Sequence, residues 1–234
     1  MPEDRTRRSA VSAAALIVLM LASSCGGTSS DPTTAGGDET VEVSASERLP
    51  ADDLVDWVSY ADAVVAVTVT GEAELAPTEE ESAAGEGLLL RDVTLQVDDV
   101  LWSHPTLSGL PAEPFTFTTI GWLFGDGQRT PAVSGGAVRL EVGRRYVMPV
   151  TYWDDDEQWG PTAPSAVLAL DADGRVAAAE DAGDGAEDSL AALSDRPLAD
   201  LAEELAATEP HPVAEANRNL DPVARFNAVE AAEG

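Results

Sequence analysis

The chain contains no lysine, a single cysteine and only two histidines, and each scarcity argues against a class of function. Without lysine, 13 arginines face 43 aspartates and glutamates, which gives a formal net charge of −30. A chain with that charge is repelled by phosphate backbones, so a nucleic-acid partner is disfavoured. One cysteine cannot form an intramolecular disulfide, so the fold must be stabilised by packing alone.

The two histidines give little support to nucleophilic catalysis. His104 and His211 each precede a proline, which predicts exposed loop positions. A serine, threonine or cysteine nucleophile needs an adjacent base, usually histidine, and no recognised serine motif accompanies these two. The sequence therefore assigns no catalytic residue, no metal site and no cofactor.

The first 24 residues have the composition of a secretory signal. Arg5, Arg7 and Arg8 precede an apolar run over residues 10–22. As a helix this run is about 20 Å long, which is short of the ~30 Å hydrocarbon core, so a permanent spanning helix is the poorer interpretation. The pair Arg7-Arg8 is also found in twin-arginine signals, but Ser9 and Ala10 follow it instead of bulky apolar residues. An ordinary signal is favoured.

The run ends in Leu21-Ala22-Ser23-Ser24-Cys25, which resembles the lipobox of bacterial lipoproteins. The resemblance implies cleavage between Ser24 and Cys25 and a diacylglyceryl thioether on Cys25. Two or three acyl chains exceed the single-chain limit and hold a protein stably at a membrane. We therefore expect a lipid-anchored protein on the extracytoplasmic side of the cell membrane. A lone buried thiol is the alternative for Cys25.

The rest of the chain divides by composition into three parts. Residues 25–48 are mostly Gly, Ser, Thr, Asp and Glu, which predicts a flexible tether. Residues 49–208 carry most of the remaining apolar residues and should form one domain, beginning near Leu49. Residues 209–234 contain three prolines and few apolar residues, which predicts a loosely packed C-terminal appendage.

Hydrophobic periodicity predicts a mainly β (α+β) domain. Helices are expected at 51–60, where Trp57 should dock against the core, and at 196–207. Strands are expected at 63–75, 88–101, 115–120, 140–153 and, as a hairpin, at 166–170 and 175–178. Exposed loops are expected at 76–87 and 121–137, and a bulge or a strand end at Asp98 and Asp99. Short strands without strand–helix alternation favour a small antiparallel barrel or sandwich of five to seven strands.

Two local motifs and the element order add a weak resemblance. The motifs are Val142-Gly143-Arg144-Arg145-Tyr146-Val147 and the turn Asp171-Ala172-Asp173-Gly174-Arg175. Over roughly residues 50–207 the chain is similar to uncharacterised secreted bacterial proteins with a small OB-like barrel. The resemblance implies a fold but no activity, because that fold serves many functions.

Two acidic runs are candidates for cation binding or hydrolysis. Asp154, Asp155, Asp156 and Glu157 could serve paired-carboxylate hydrolysis or bind a hard cation, but four consecutive acids cannot all face one ion from a regular strand. A solvated turn is favoured there. Asp171 and Asp173 begin like a calcium loop, but Arg175 stands where the next acid belongs, so a plain turn is favoured.

Aromatic residues at strand ends and in loops are the candidate ligand contacts. They are Trp122, Phe124, Tyr152, Trp153 and Trp159. Trp122 and Phe124 could alternatively fill the end of a barrel. The acid excess favours a basic or cationic partner at the cell surface. The sequence thus favours a non-enzymatic binding or interaction module, with a carboxylate-dependent hydrolase of the cell envelope as the alternative.

Overall fold

The computed structural model describes residues 40–45, 47–105, 114–153, 158–177 and 188–234. The strands are β1 (Val41–Val43), β2 (Ala63–Glu74), β3 (Gly87–Ser103), β4 (Phe115–Gly125), β5 (Gln128–Ser134), β6 (Arg145–Trp153), β7 (Gln158–Pro161) and β8 (Leu168–Ala169). The helices are α1 (Leu54–Tyr60), α2 (Glu79–Ala84), α3 (Asp188–Ala191), α4 (Leu198–Ala207), α5 (Pro212–Ala216) and α6 (Pro222–Glu233). Signal, lipobox and residues 25–39 of the predicted tether lie outside the described residues.

The strands form one sheet in the order β1-β5-β4-β3-β2-β6-β7, with β8 paired to β6. Every pairing is antiparallel except β1 with β5, which is parallel. The predicted mainly β class is therefore confirmed, with eight strands in the described part of the chain instead of five to seven. Within the described residues the hydrogen-bonded path ends at β1 and β7, so the sheet is open and mixed.

The long β2–β3 hairpin is the centre of the sheet, and its two strands lie close to the strands expected at 63–75 and 88–101. The register shifts between Ala66 and Val67 of β2, opposite Asp98, which confirms the expected bulge. Asp98 Oδ2 accepts hydrogen bonds from Thr68 Oγ1 (2.7 Å) and Arg145 Nε (3.3 Å). The bulge therefore places one carboxylate of β3 within hydrogen-bond distance of side chains on β2 and β6.

Both faces of β2 are buried over residues 63–67, which explains the continuous run of valine and alanine there. Val64 and Ala66 pack in an outer core with Trp57 of α1 and with α4. Val65 and Val67 pack in an inner core with residues of β3, β4 and β6. Trp57 is fully buried and its Nε1 donates to Ala51 O (3.1 Å), so the predicted docking of α1 is confirmed.

The predicted glycine-rich loop at 121–137 is wrong, because a β4–β5 hairpin occupies most of it. Asp126 and Gly127 both have positive φ values, 52° and 73°, as a two-residue type I′ turn requires. The dipeptide Asp-Gly is the sequence signal for this turn. The predicted loop at 76–87 likewise contains α2, which begins with a capping box between Thr78 and Glu81.

Two segments predicted to be loose are ordered. Val41–Val43 falls within the predicted tether but pairs with β5, so ordered structure begins before Leu49. The C-terminal residues predicted to be frayed form α5 and α6. Ala214 and Val229 of these helices pack with Leu49 and Tyr60 in a third core. The expectation of a loosely packed tail is therefore wrong for these helices.

Two arginines from the C-terminal tail donate hydrogen bonds to carbonyl groups at the carboxyl end of α1, which has no basic residue in its own last turn. Arg218 Nη1 donates to Ser59 O (2.7 Å) and Arg225 Nη2 donates to Tyr60 O (2.9 Å). These bonds satisfy terminal carbonyls that an α-helix leaves without partners. Burial lowers the pKa of Arg218 to about 10 and also lowers the pKa of Arg225.

Candidate binding cavity

A cavity of about 280 Å³ lies between β4 and β7. Phe117, Leu140 and Val167 contribute to its wall, and the same residues belong to the inner core. The cavity is therefore an unfilled continuation of that core. Its volume is just below the range that is usual for small-molecule sites, about 300–1,000 Å³.

The cavity lies where β5 diverges from β4. β5 pairs with β4 only from Trp122 to Gly125, and beyond Pro131 it pairs with β1 instead. The preceding part of β4, residues 117–120, lines the cavity. On the opposite side, Gly160 of β7 comes close to β4: a Cβ built there would lie 3.9 Å from Phe117 Cβ. The two strands approach each other without pairing, and the cavity fills the space between them.

A glycine bulge shapes the floor of the cavity. The β3–β4 register shifts at Leu89 and Leu90, opposite Gly121. A Cβ on Gly121 would lie 3.0 Å from Leu89 O and 3.3 Å from Arg91 Cβ. Because glycine lacks this atom, the Arg91 side chain can pass beneath β4 and reach Ile120 O, to which its Nε donates (3.2 Å).

Arg91 is the most deeply buried charge of the cavity, with 1% of its surface exposed. Its Nη1 donates to Leu140 O (2.8 Å) and to Glu72. Arg139 Nη2 lies 3.8 Å from the same Glu72 carboxylate. Burial, and next the nearby charge of Arg91, lower the pKa of Arg139. Two guanidinium groups therefore share one carboxylate behind the floor.

The mouth is formed by the residues that lead from β1 into the domain. Glu47 Oε1 accepts a hydrogen bond from Ser165 N (2.9 Å), and Leu49 is buried in the third core. Between them, Arg48 places its guanidinium carbon 5.4 Å from the centre of the Trp153 ring. Among the residues that the structure describes, no carboxylate lies within 4 Å of the Arg48 guanidinium nitrogens.

The five aromatic residues predicted as ligand contacts do not share one surface. Trp153 lines the cavity. Trp159 packs on the inner core and meets the exposed Tyr152 ring edge to face, with centroids 5.6 Å apart. Trp122 lies under Arg139, with 4.8 Å between guanidinium carbon and ring centre. Phe124 is half-buried beside a shallow groove near α2.

Both histidines lie outside helices and strands, as predicted, but they are partly buried, so the prediction that they are exposed is wrong. His104 Nε2 lies 3.5 Å from Glu215 Oε2, and its ring meets Trp102. Burial lowers the pKa of His104. His211 begins α5, where its Nδ1 accepts from Val213 N (3.3 Å). The two rings therefore serve the packing of the tail.

The structure describes one of the two acidic runs. Asp154, Asp155, Asp156 and Glu157 lie outside the described residues. Asp171 Oδ1 accepts from Asp173 N (2.9 Å) and Arg175 N (2.8 Å), and Gly174 has a φ of 75°. These bonds form the plain turn that the sequence predicts. In the described ranges no group of three or more His, Cys, Asp or Glu side chains converges on a point that could hold a metal ion.

Sequence reasoning missed Arg48, Arg91 and Gly160 as members of one site. Arg91 did carry a signal, because it stands in phase with Leu89, Val93 and Leu95 on the apolar face of β3. A charged residue at such a position requires buried hydrogen-bond partners. Arg48 and Gly160 carried no such signal, because only the tertiary fold brings them to the cavity.

Comparisons with known proteins found no relative of this chain. No protein-family model, curated protein or solved structure matched it. In the part of the chain that the structure describes, no helix combines the length and hydropathy that a membrane crossing requires.

Proposed function

We propose that this protein is a binding module anchored by lipid to the extracytoplasmic face of the cell membrane, with the cavity between β4 and β7 as its ligand site. The cavity is the observation that carries the proposal. It joins an apolar wall to a few polar and charged groups, the composition typical of ligand sites. Phe117 and Trp153 offer ring surface, and Arg48 offers hydrogen-bond donors at the mouth.

The finer fold under this proposal is an incomplete OB-like barrel. The close approach of Gly160 to Phe117 supports it, because closing that gap would join the two sides of the curled sheet. The cavity would then be the mouth of the barrel, a common position for ligands.

The anchor is supported by the lipobox at the end of the apolar run. Full-length chain and a Cys25→Ser variant would be expressed in a lipoprotein-processing bacterium with radiolabelled palmitate. We expect label in the wild type and in a Ser24→Ala control, which keeps the cysteine, and none in Cys25→Ser. Equal label in the cysteine variant would contradict the anchor.

The charge of the chain bears on its partners. With a formal charge of −30, the protein attracts cationic partners and repels anionic polymers at long range. A basic partner at the cell surface is therefore part of the proposal, separate from the ligand of the cavity. Salt above physiological strength should weaken that association, because the Debye length falls below about 8 Å.

The cavity is tested by filling it. A Cβ on Gly160 meets only ordinary contacts, 3.5 Å from the Trp153 ring, so Gly160→Leu should fold and occupy the cavity. The purified full chain would be screened by thermal shift against small acids, amides, amines, sugars and short peptides. A ligand present at 100 times its Kd stabilises by about 2.7 kcal/mol, which is about 5–10 °C for a domain of this size.

The control is Gly71→Leu, which adds the same side chain on β2 near Thr94, away from the cavity. We expect ligands that stabilise the wild type and Gly71→Leu to leave Gly160→Leu unchanged. If nothing in the panel stabilises the wild type, or if Gly160→Leu responds equally, the cavity is not a ligand site.

A further inference from the structure

The charge balance of the cavity is the reverse of that of the chain. Acids outnumber arginines by 43 to 13 overall, yet among the described residues the wall contains two arginines, Arg48 and Arg91, and one acid, Glu47. Behind the floor, Arg139 adds a third guanidinium and Glu72 a second carboxylate. The described residues of the site therefore carry an excess of one positive charge inside a strongly negative protein.

We propose that the cavity binds a small organic carboxylate whose apolar part is about the size of a phenyl group, and that Arg48 binds the carboxylate at the mouth. This inference rests on the proposed function, since it names the ligand of the same cavity. The apolar body would contact Phe117, Val133 and Leu140.

Arg48 is the better anchor of the two wall arginines because, among the described residues, no hydrogen bond or ion pair occupies its guanidinium group. Arg91 already donates to Ile120 O, Leu140 O and Glu72. Arg48 has no carboxylate partner among the described residues, and the Trp153 ring lies 5.4 Å from its guanidinium carbon. A guanidinium over an aromatic ring is held in place while its N–H edges stay available, and those edges match the two oxygens of a carboxylate.

The volume limits the size of the ligand. An engineered protein cavity of about 150 Å³ binds benzene, which has six heavy atoms. A cavity of about 280 Å³ should therefore accept about eleven heavy atoms. 3-Phenylpropanoate has this size, and 3-phenylpropanamide has the same shape without the charge. The pair is a matched probe for the carboxylate alone.

The test measures the affinity of both probes by isothermal titration calorimetry on the full chain. A charge-assisted hydrogen bond that is lost corresponds to about a 10- to 100-fold change in Kd. We expect the wild type to prefer the acid over the amide by at least about tenfold, and Arg48→Gln to bind both within about twofold of each other. Arg48 is exposed, so the variant should keep the wild-type circular dichroism spectrum and melting temperature.

The control is Arg129→Gln, which removes the same charge from an exposed arginine on β5 that pairs with Glu74. It should keep the preference for the acid. If Arg129→Gln loses the preference as fully as Arg48→Gln does, overall charge explains the selectivity and the assignment to Arg48 is wrong. If the amide binds the wild type as well as the acid does, or if only amines or sugars bind, the carboxylate inference fails while the cavity function stands. Absence of binding by the whole panel overturns both.

Discussion

The buried guanidinium of Arg225 offers the sharpest test of how the C-terminal helices contribute to stability. Arg225 is 2% exposed, and its Nη2 donates to Tyr60 O (2.9 Å) and lies 3.7 Å from Asp62 Oδ1. An Arg225→Met substitution keeps the apolar stem but removes a hydrogen bond from a charged donor, worth about 1.5–3 kcal/mol. Asp62 remains partly solvated and accepts from Tyr152 N, so the full cost of an unpaired buried charge does not apply.

We therefore expect Arg225→Met to lower the free energy of unfolding by about 2 kcal/mol, which is about 4–8 °C in melting temperature. Thermal unfolding of the full chain, followed by circular dichroism, measures this shift. Arg144→Met is the matched control, because Arg144 is exposed and its one acidic partner among the described residues is Glu141, three residues earlier, at 3.6 Å. An exposed pair contributes about 0–1 kcal/mol. If the two variants melt within 1 °C of each other, the tail is not an integral part of the fold.

Three further outcomes follow from the charges and the bulge. Burial raises the pKa of Asp56 to about 6. Ionisation of this carboxyl therefore lowers the free energy of unfolding as the pH rises through about 6, and the loss is absent below about pH 4, where the group is protonated in both the folded and the unfolded chain. Asp56→Asn should therefore melt higher than wild type at pH 7.5 and lose that advantage at pH 4; a lower melting temperature at both pH values contradicts the burial argument. Gly121→Val forces a side chain against Leu89 O and should cost about 1–3 kcal/mol in urea unfolding, whereas no loss would mean that the bulge is not required. Raising NaCl from 10 mM to 1 M shortens the Debye length from about 30 Å to about 3 Å, so the melting temperature should rise; a flat or falling value would show that the acids do not strain the fold.

Where local periodicity and tertiary packing agree, the sequence predicts the structure well. The valine alternation predicts β2, the apolar spacing around Trp57 predicts α1, and Leu198 to Leu205 predict α4. Each element buries most of the residues that define its pattern. The bulge at Asp98 is predictable for the same reason, because two consecutive acids cannot continue an alternating apolar face.

Composition gave a wrong prediction where a short turn motif indicated a different structure. Residues 121–137 are rich in glycine, which predicts a loop, yet Asp126-Gly127 alone specifies the tight turn of a hairpin. In the tail, apolar residues are too sparse to predict burial. α6 is buried partly through Arg225, an arginine that donates to the Tyr60 carbonyl of a helix 165 residues earlier. No periodicity within the tail carries that information, because the partner groups belong to another element.

The cavity could be foreseen only at its floor. An arginine in the apolar phase of a strand, as at position 91, must find buried acceptors, and a glycine within a neighbouring strand, as at position 121, gives the side chain room to reach them. These two residues predict a local irregularity between β3 and β4. The mouth requires more, because β5 has to diverge from β4, β7 has to approach it, and the segment before Leu49 has to bring Arg48 over Trp153. Those three conditions are long-range, so the feature that most favours a ligand arises from the fold as a whole.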